Sequence, residues 1–314
     1  MNNFIKNNES KCFAFGTIFL WASAFPVTKI ALSYFTPQTL GLVRYLSATI
    51  CLLLIGYIKK IGLPKTRDIP KFLFSGGMGF FLYMITFNTG SIYLTSATSS
   101  IIIAIAPILT ALMSNLLLKE KINVYGWIAI SMEFVGILFL TLWNGEFSLN
   151  IGALWMIGAA FVLAIYNITQ REYTKTYTPF QSTTYSIIGG TVLLSIFVPE
   201  STSQIMAAPL KAWGIIIYLG IFPSAIAYIW WSRALSIAKI TSEVTNFMFV
   251  TPLLSGIMGC ILVNEYPSLE TYVGGTIILS GLMLFNLTNK NDIKGVKFYG
   301  NNYRQEKSYI EKNN

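Results

Sequence analysis

The chain has 314 residues, of which 54% are hydrophobic and 11% charged, with a formal net charge of +9 and a mean hydropathy of +0.59. A soluble chain carries roughly a quarter charged residues, so this composition excludes one or two water-soluble domains. The cations lie between apolar runs and in the tails rather than on one folded face, which argues against a nucleic-acid partner.

Roughly 20 apolar residues span a bilayer as a helix, and hydrocarbon obliges every backbone group to bond within its own segment. Ten such spans follow one another, at roughly 12–33, 37–58, 70–90, 96–118, 123–143, 151–170, 179–199, 212–235, 241–263 and 269–288. The first begins near Cys12, behind a polar tail of residues 1–11. It is too long for the apolar core of a secretory signal and lacks a small-residue cleavage site, so it is expected to be retained. Breaks fall at Thr36-Pro37, Leu63-Pro64, Thr178-Pro179, Pro199, Pro209 and Pro267, where proline stops a helix. The third span carries Gly76, Gly77 and Gly79, and the seventh opens with Gln181, Ser182, Thr183 and Thr184. Residues 289–314 are rich in Asn and Lys and are expected to form a solvated, disordered tail.

Lys and Arg favour the cytoplasmic side of a membrane. With the N-terminus inside, the inner loops and the C-terminal tail hold nearly all the cations, and the outer loops hold only Lys211. That asymmetry predicts an even number of spans with both termini cytoplasmic in a plasma-membrane protein. A single offset in numbering superposes Pro107 on Pro252, Met113 on Met258, Glu120 on Glu265 and Gly136 on Gly281. A slightly different offset superposes Thr36-Pro37 on Thr178-Pro179 and Lys29 on Arg171. The expected architecture is therefore all-α: ten transmembrane helices in two repeats, 12–143 and 151–288. Five spans per repeat turn the second upside down relative to the first.

Histidine is absent, and Cys12, Cys51 and Cys260 lie in three different apolar runs. No metal site or cofactor is expected, and the cysteines read as small buried hydrophobes. No nucleophile–base pair and no Walker-type phosphate loop are present, so neither enzyme chemistry nor ATP hydrolysis is expected on this chain.

Several residues resemble the drug/metabolite transporter superfamily, EamA type: Trp21-Ala22-Ser23-Ala24-Phe25, Arg44-Tyr45, and Ser99 through Pro107 leading to Leu118-Lys119-Glu120-Lys121, with Gly126 and Gly136 beyond. In the second half Ala234-Leu235, Pro252, Glu265 and Gly281 match. The resemblance implies a ten-helix bundle that moves small metabolites such as amino acids or drug-like compounds by alternating access, often outward, by secondary transport. A lipid-linked carrier flippase of the same superfamily is the second reading. The partners implied are a small-molecule substrate, the lipid bilayer and a coupling proton or ion.

A charge deep in a span is expensive, by about 3 kcal/mol on insertion scales, and marks a functional candidate. Arg44 has a planar fork suited to a substrate carboxylate or phosphate; it could instead pair with a protein carboxylate or helix-end carbonyls, or reach to the interface. Glu133, mid-span, is a candidate proton carrier, or a hydrogen-bonded structural acid partnered by Arg44 or Lys29. Glu243 complements the start of the ninth span or faces a cavity. Glu120 and Glu265 mark span ends as loop groups or gate members, and Lys29 and Arg171 are expected to snorkel. Trp21, Tyr83 and Tyr228 sit away from span ends and, with Asn88 and Asn246, are candidates to line a cavity or to bond helix to helix. Pro107 and Pro252 are expected to kink their helices at matching places.

Overall fold

The computed structural model describes residues 2–118, 122–142, 150–237, 246–285 and 287. Among them the chain is helical and contains no strand. We number the rods α1 (Asn2–Ala31), α2 (Pro37–Ile58), α3 (Thr66–Tyr93), α4 (Ser96–Ile103 and Ala106–Leu118), α5 (Val124–Leu142) and α6 (Ile151–Tyr173). They continue as α7 (Pro179–Ala207), α8 (Leu210–Ile221 extended through Ala227–Ile237), α9 (Thr251–Val263) and α10 (Leu269–Phe285). Seven are long and apolar enough to cross a membrane by themselves; α5, α9 and α10 are shorter apolar helices.

The ends are set by local chemistry. Thr36 and Thr178 cap α2 and α7, each before a proline at the first helical position, where the missing N–H is an orphan anyway. Thr95 caps α4, and Asn150 caps α6 by accepting from the Gly152 and Ala153 amides. Asn264, in the left-handed conformation, ends α9.

The helices pair reciprocally. α1 packs on α8 as α6 packs on α3; α2 packs on α8 as α7 packs on α3; α4 packs on α6 as α9 packs on α1. Exchanging the first five rods with the last five reproduces the pattern, the signature of a pseudo-twofold. Directions agree. Along α1, Ser10, Thr17 and Trp21 bond in turn to the carbonyls of Ala234, Ala227 and Pro223, so α1 and α8 run oppositely. The chain is a helical membrane protein of two inverted repeats.

The repeats also share their irregularities. A π-turn interrupts α3 at Gly77–Leu82 and α8 at Phe222–Ile226. In α4 the helix breaks at Ala104 and Ile105, and a 3-10 turn, Asn246–Val250, leads into α9. The kinks expected at Pro107 and Pro252 thus take the form of a break in the fourth span and a 3-10 turn before α9. Pro107 and Pro252 follow these interruptions in the first turn of the next helical piece, so the missing N–H falls where no i−4 partner is needed. The described cysteines depart from expectation too: Cys12 is exposed, and Cys51 and Cys260 are half-buried. A cysteine on a lipid-facing flank needs no protein cover, because lipid is as apolar as a core. Residues 119–121, 143–149, 238–245 and the tail 289–314 lie outside the described residues, and Glu120 and Glu243 with them.

α3 and α7 approach at backbone distance. A Cβ added at Gly76 would sit 2.3 Å from the Gly190 amide nitrogen and the Ser186 carbonyl oxygen. Gly214 has nothing within 4 Å. Gly76→Ala is expected to destabilise the bundle by at least the 1–3 kcal/mol typical of overpacking, roughly, while Gly214→Ala changes little. Thermal unfolding of both variants in detergent checks this.

Candidate functional site

The two π-turns lie near each other: Phe80 of the α3 turn and Tyr228, just past the α8 turn, meet edge-on with ring centroids 6.2 Å apart. A π-turn adds a residue to one helical turn and re-aims the side chains around it. In α8 its cause is Pro223, which cannot donate to the ladder. The Pro223 carbonyl accepts from the Trp21 indole N–H at 3.2 Å. The next residue, Ser224, accepts at 2.8 Å from Nε of Arg44 in α2. On the α3 turn, Phe80 stands edge-on to Tyr45 and Tyr166, with ring centroids 5.1 and 4.9 Å apart. Gly79 makes room for Tyr166 of α6, since a Cβ there would lie 2.3 Å from the ring.

Arg44 is buried, with 6% of its surface exposed. Its guanidinium carbon sits 5.9 Å from the Tyr45 ring centre, and Tyr83 and Tyr228 lie within its electrostatic reach. Among the described residues it has no carboxylate partner, and its Nη1 has no hydrogen bond. Of the alternatives open in the sequence, pairing with a described carboxylate and reaching to the interface are therefore set aside. Trp21 stacks edge-on with Tyr228 at 5.5 Å and lies 5.2 Å from Trp231. The arrangement is one cation, with an unpartnered Nη1, among aromatic rings contributed by both repeats. Such a donor can take an anionic oxygen, and the ring faces suit an apolar or cationic remainder.

The fold thus gathers Trp21, Arg44, Tyr83 and Tyr228. It does not bring Asn88 to them. Asn88 donates at 2.9 Å to the Pro37 carbonyl at the start of α2, about two turns from Arg44, and ties α3 to that end. The Asn246 backbone opens the turn before α9, and its side chain lies outside the described residues. Sequence reasoning passed over Ser224 and Phe80; the signal available was a proline inside one apolar run and a glycine cluster at the equivalent place in the other.

Glu133 is 2% exposed, and neither carboxyl oxygen has a hydrogen-bond partner. It packs at the α5–α10 crossing, where Gly281 lies against Ala129 and Glu133 while Gly136 lies against Gly274 and Ile278. Arg44 and Lys29 do not pair with it. An ionised, unpartnered carboxylate in such a place would be strongly disfavoured, so the packing suits the neutral acid.

Lys29 and Glu265 form a second centre at one end of the bundle. Lys29 does not snorkel: it pairs with Glu265 and donates at 2.7 Å to the Leu94 carbonyl, which offer more than the interface does. The other Glu265 oxygen accepts from the Ser96 amide at 2.7 Å and the Ser96 hydroxyl at 2.9 Å, complementing the start of α4. Beside it Thr98 and Thr271 share a 2.7 Å hydrogen bond, and Ser255 donates to the Ser96 carbonyl at 3.0 Å. One carboxylate therefore ties α1, α4 and the α9–α10 turn together.

The profile of the EamA-like transporter family matches residues 10–142 and 150–287, each covering one of the repeats. The uncharacterized transporter YdfC of Bacillus subtilis is 33% identical over 264 residues, covering 84% of this chain and 86% of its own. A Streptantibioticus cattleyicolor protein, named a probable terminal-alkyne amino-acid exporter, is 27% identical over 273 residues, with coverage of 86% and 91%. A solved crystal structure superposes with a TM-score of 0.61 at 17% identity, covering 91% of this chain and 99% of its own, a likeness of fold.

Hydrogen bonds to charged groups contribute roughly 1.5–3 kcal/mol. Glu265→Gln removes the ion pair at this end of the bundle, and about tenfold faster labelling of Thr98→Cys by a membrane-impermeant maleimide is expected. The comparison is made with Cys12, Cys51 and Cys260 replaced by alanine.

Proposed function

The chain belongs to the EamA-like transporter family, and from that premise we propose that it is a secondary transporter of small, carboxylate-bearing metabolites of the amino-acid type, working outward by alternating access. The observation that carries the reading is Arg44: a buried guanidinium with a free Nη1, held by Ser224 at the meeting of the two inverted repeats. A substrate carboxylate supplies the missing counter-charge, and Trp21, Tyr83 and Tyr228 receive the side chain. The amino-acid exporter among the relatives supports this choice of class.

In this reading the Lys29–Glu265 tie closes one access path and parts when that side opens. The rods pivot at the paired π-turns and at the breaks before Pro107 and Pro252. Energy comes from a gradient, with Glu133 as the carrier of a coupling proton. The termini face the cytoplasm in a plasma membrane, as the cation distribution directs.

Two measurements test the proposal. In proteoliposomes loaded with a mixture of the proteinogenic amino acids, the wild type is expected to move at least one, and its methyl ester is expected not to compete. Arg44→Ala, inserted at the wild-type level, is expected to lose transport by roughly 10–100-fold, as the loss of a charge-assisted contact of about 1.5–3 kcal/mol requires. Wild-type rates in Arg44→Ala would overturn the site. Glu133→Gln is expected to transport with its pH dependence flattened; an unchanged pH profile removes the proton role.

A further inference from the structure

A groove between α2, the start of α3 and α7 encloses ≈ 1420 Å³. That exceeds the roughly 300–1,000 Å³ of ordinary small-ligand pockets. Its walls are aliphatic, with Ile50, Leu53, Leu54 and Ile188 among them, and at its mouth stand Lys60 and Thr66. Thr184, in the wall, is fully buried, and its hydroxyl has no hydrogen-bond partner.

The mouth is built rather than loose. Gln181 donates at 2.7 Å to the Ile61 carbonyl, Tyr185 donates at 3.2 Å to that of Gly62, and the Lys65 amide donates at 3.1 Å to the Tyr177 hydroxyl. Lys60 and Gly62 take positive φ, 51° and 73°, which folds the loop back over α7. Among the described residues, Asp68 is engaged with Lys71 and Tyr177, and Glu172 with Lys175. Lys59 lies 4.9 Å over the Phe180 ring, adding a second cation beside Lys60. The cavity lined by Ser33, Tyr34 and Gln204 contains ≈ 380 Å³ and no lining cation.

We propose that this groove is a binding site for one anionic glycerophospholipid of the leaflet on that side, its phosphate at Lys60 and Thr66 and an acyl chain along Ile50, Leu54 and Ile188. Thr184 lies five residues inside α7, about 8 Å from its start at 1.5 Å per residue. That is the depth at which an ester carbonyl follows a phosphate, and the carbonyl accepts from the unpartnered hydroxyl. A basic mouth over an apolar slot on one leaflet selects charge as well as chain.

The test is native mass spectrometry of the detergent-purified chain given phosphatidylglycerol or phosphatidylcholine of matched acyl chains. The wild type is expected to keep one phosphatidylglycerol and to release phosphatidylcholine. Lys60→Gln is expected to lower that retention about fivefold, the effect of one interfacial lysine. Ile188→Trp, which fills the slot with the cations intact, is expected to abolish it, and Lys211→Gln on the opposite face leaves it unchanged. Equal retention of both lipids, unaltered binding in Lys60→Gln and Ile188→Trp, or a second copy of the chain covering the groove in place of lipid would each overturn the assignment.

Discussion

Hydrocarbon offers no hydrogen-bond partner, so a chain within it must satisfy its own backbone. That constraint makes every rod helical and decides where helices are allowed to fail. The π-turns Gly77–Leu82 and Phe222–Ile226 and the irregular backbone before Pro107 and Pro252 are such places. The Pro223 carbonyl, on the α8 turn, accepts from the Trp21 indole. Phe80, on the α3 turn, meets Tyr166 of the other repeat.

The same medium sorts the buried charges into three solutions. Lys29 and Glu265 neutralise each other at a bundle end and consume their remaining capacity on Leu94 and Ser96. Glu133 has no partner and suits the neutral acid. Arg44 keeps one bond to Ser224 and an unpartnered Nη1.

Function enters where the two copies diverge. The α5–α10 crossing is built twice over: Gly136 receives Ile278, and Gly281 receives Glu133 in the equivalent place. Tyr83 and Tyr228 are equivalents and both remain aromatic, whereas Arg44 in α2 has Ser186 as its counterpart in α7. Ser186 only joins Ser75 and Gln170 in a neutral hydrogen-bonded cluster. The duplicated frame supplies packing, and single departures from it supply chemistry.

Composition, proline positions and the offset between Pro107 and Pro252 determined by themselves that the chain is helical, membrane-spanning and duplicated, because burial in lipid leaves its mark on every residue of a span. The span ends were readable for the same reason: Thr36-Pro37 and Thr178-Pro179 are caps whose chemistry is local. Arg44, Trp21, Tyr83 and Tyr228 were legible as candidates from charge and ring character at membrane depth. Which of them meet was decided only by tertiary structure. Asn88 looked equivalent to them and was taken by the Pro37 carbonyl, and Lys29 found Glu265 far along the chain. Ser224 and Phe80 carried no charge to betray them. Their roles come from a π-turn, and the extra residue in that turn is set by how two helices from opposite repeats pack, a contact that no local pattern of residues encodes.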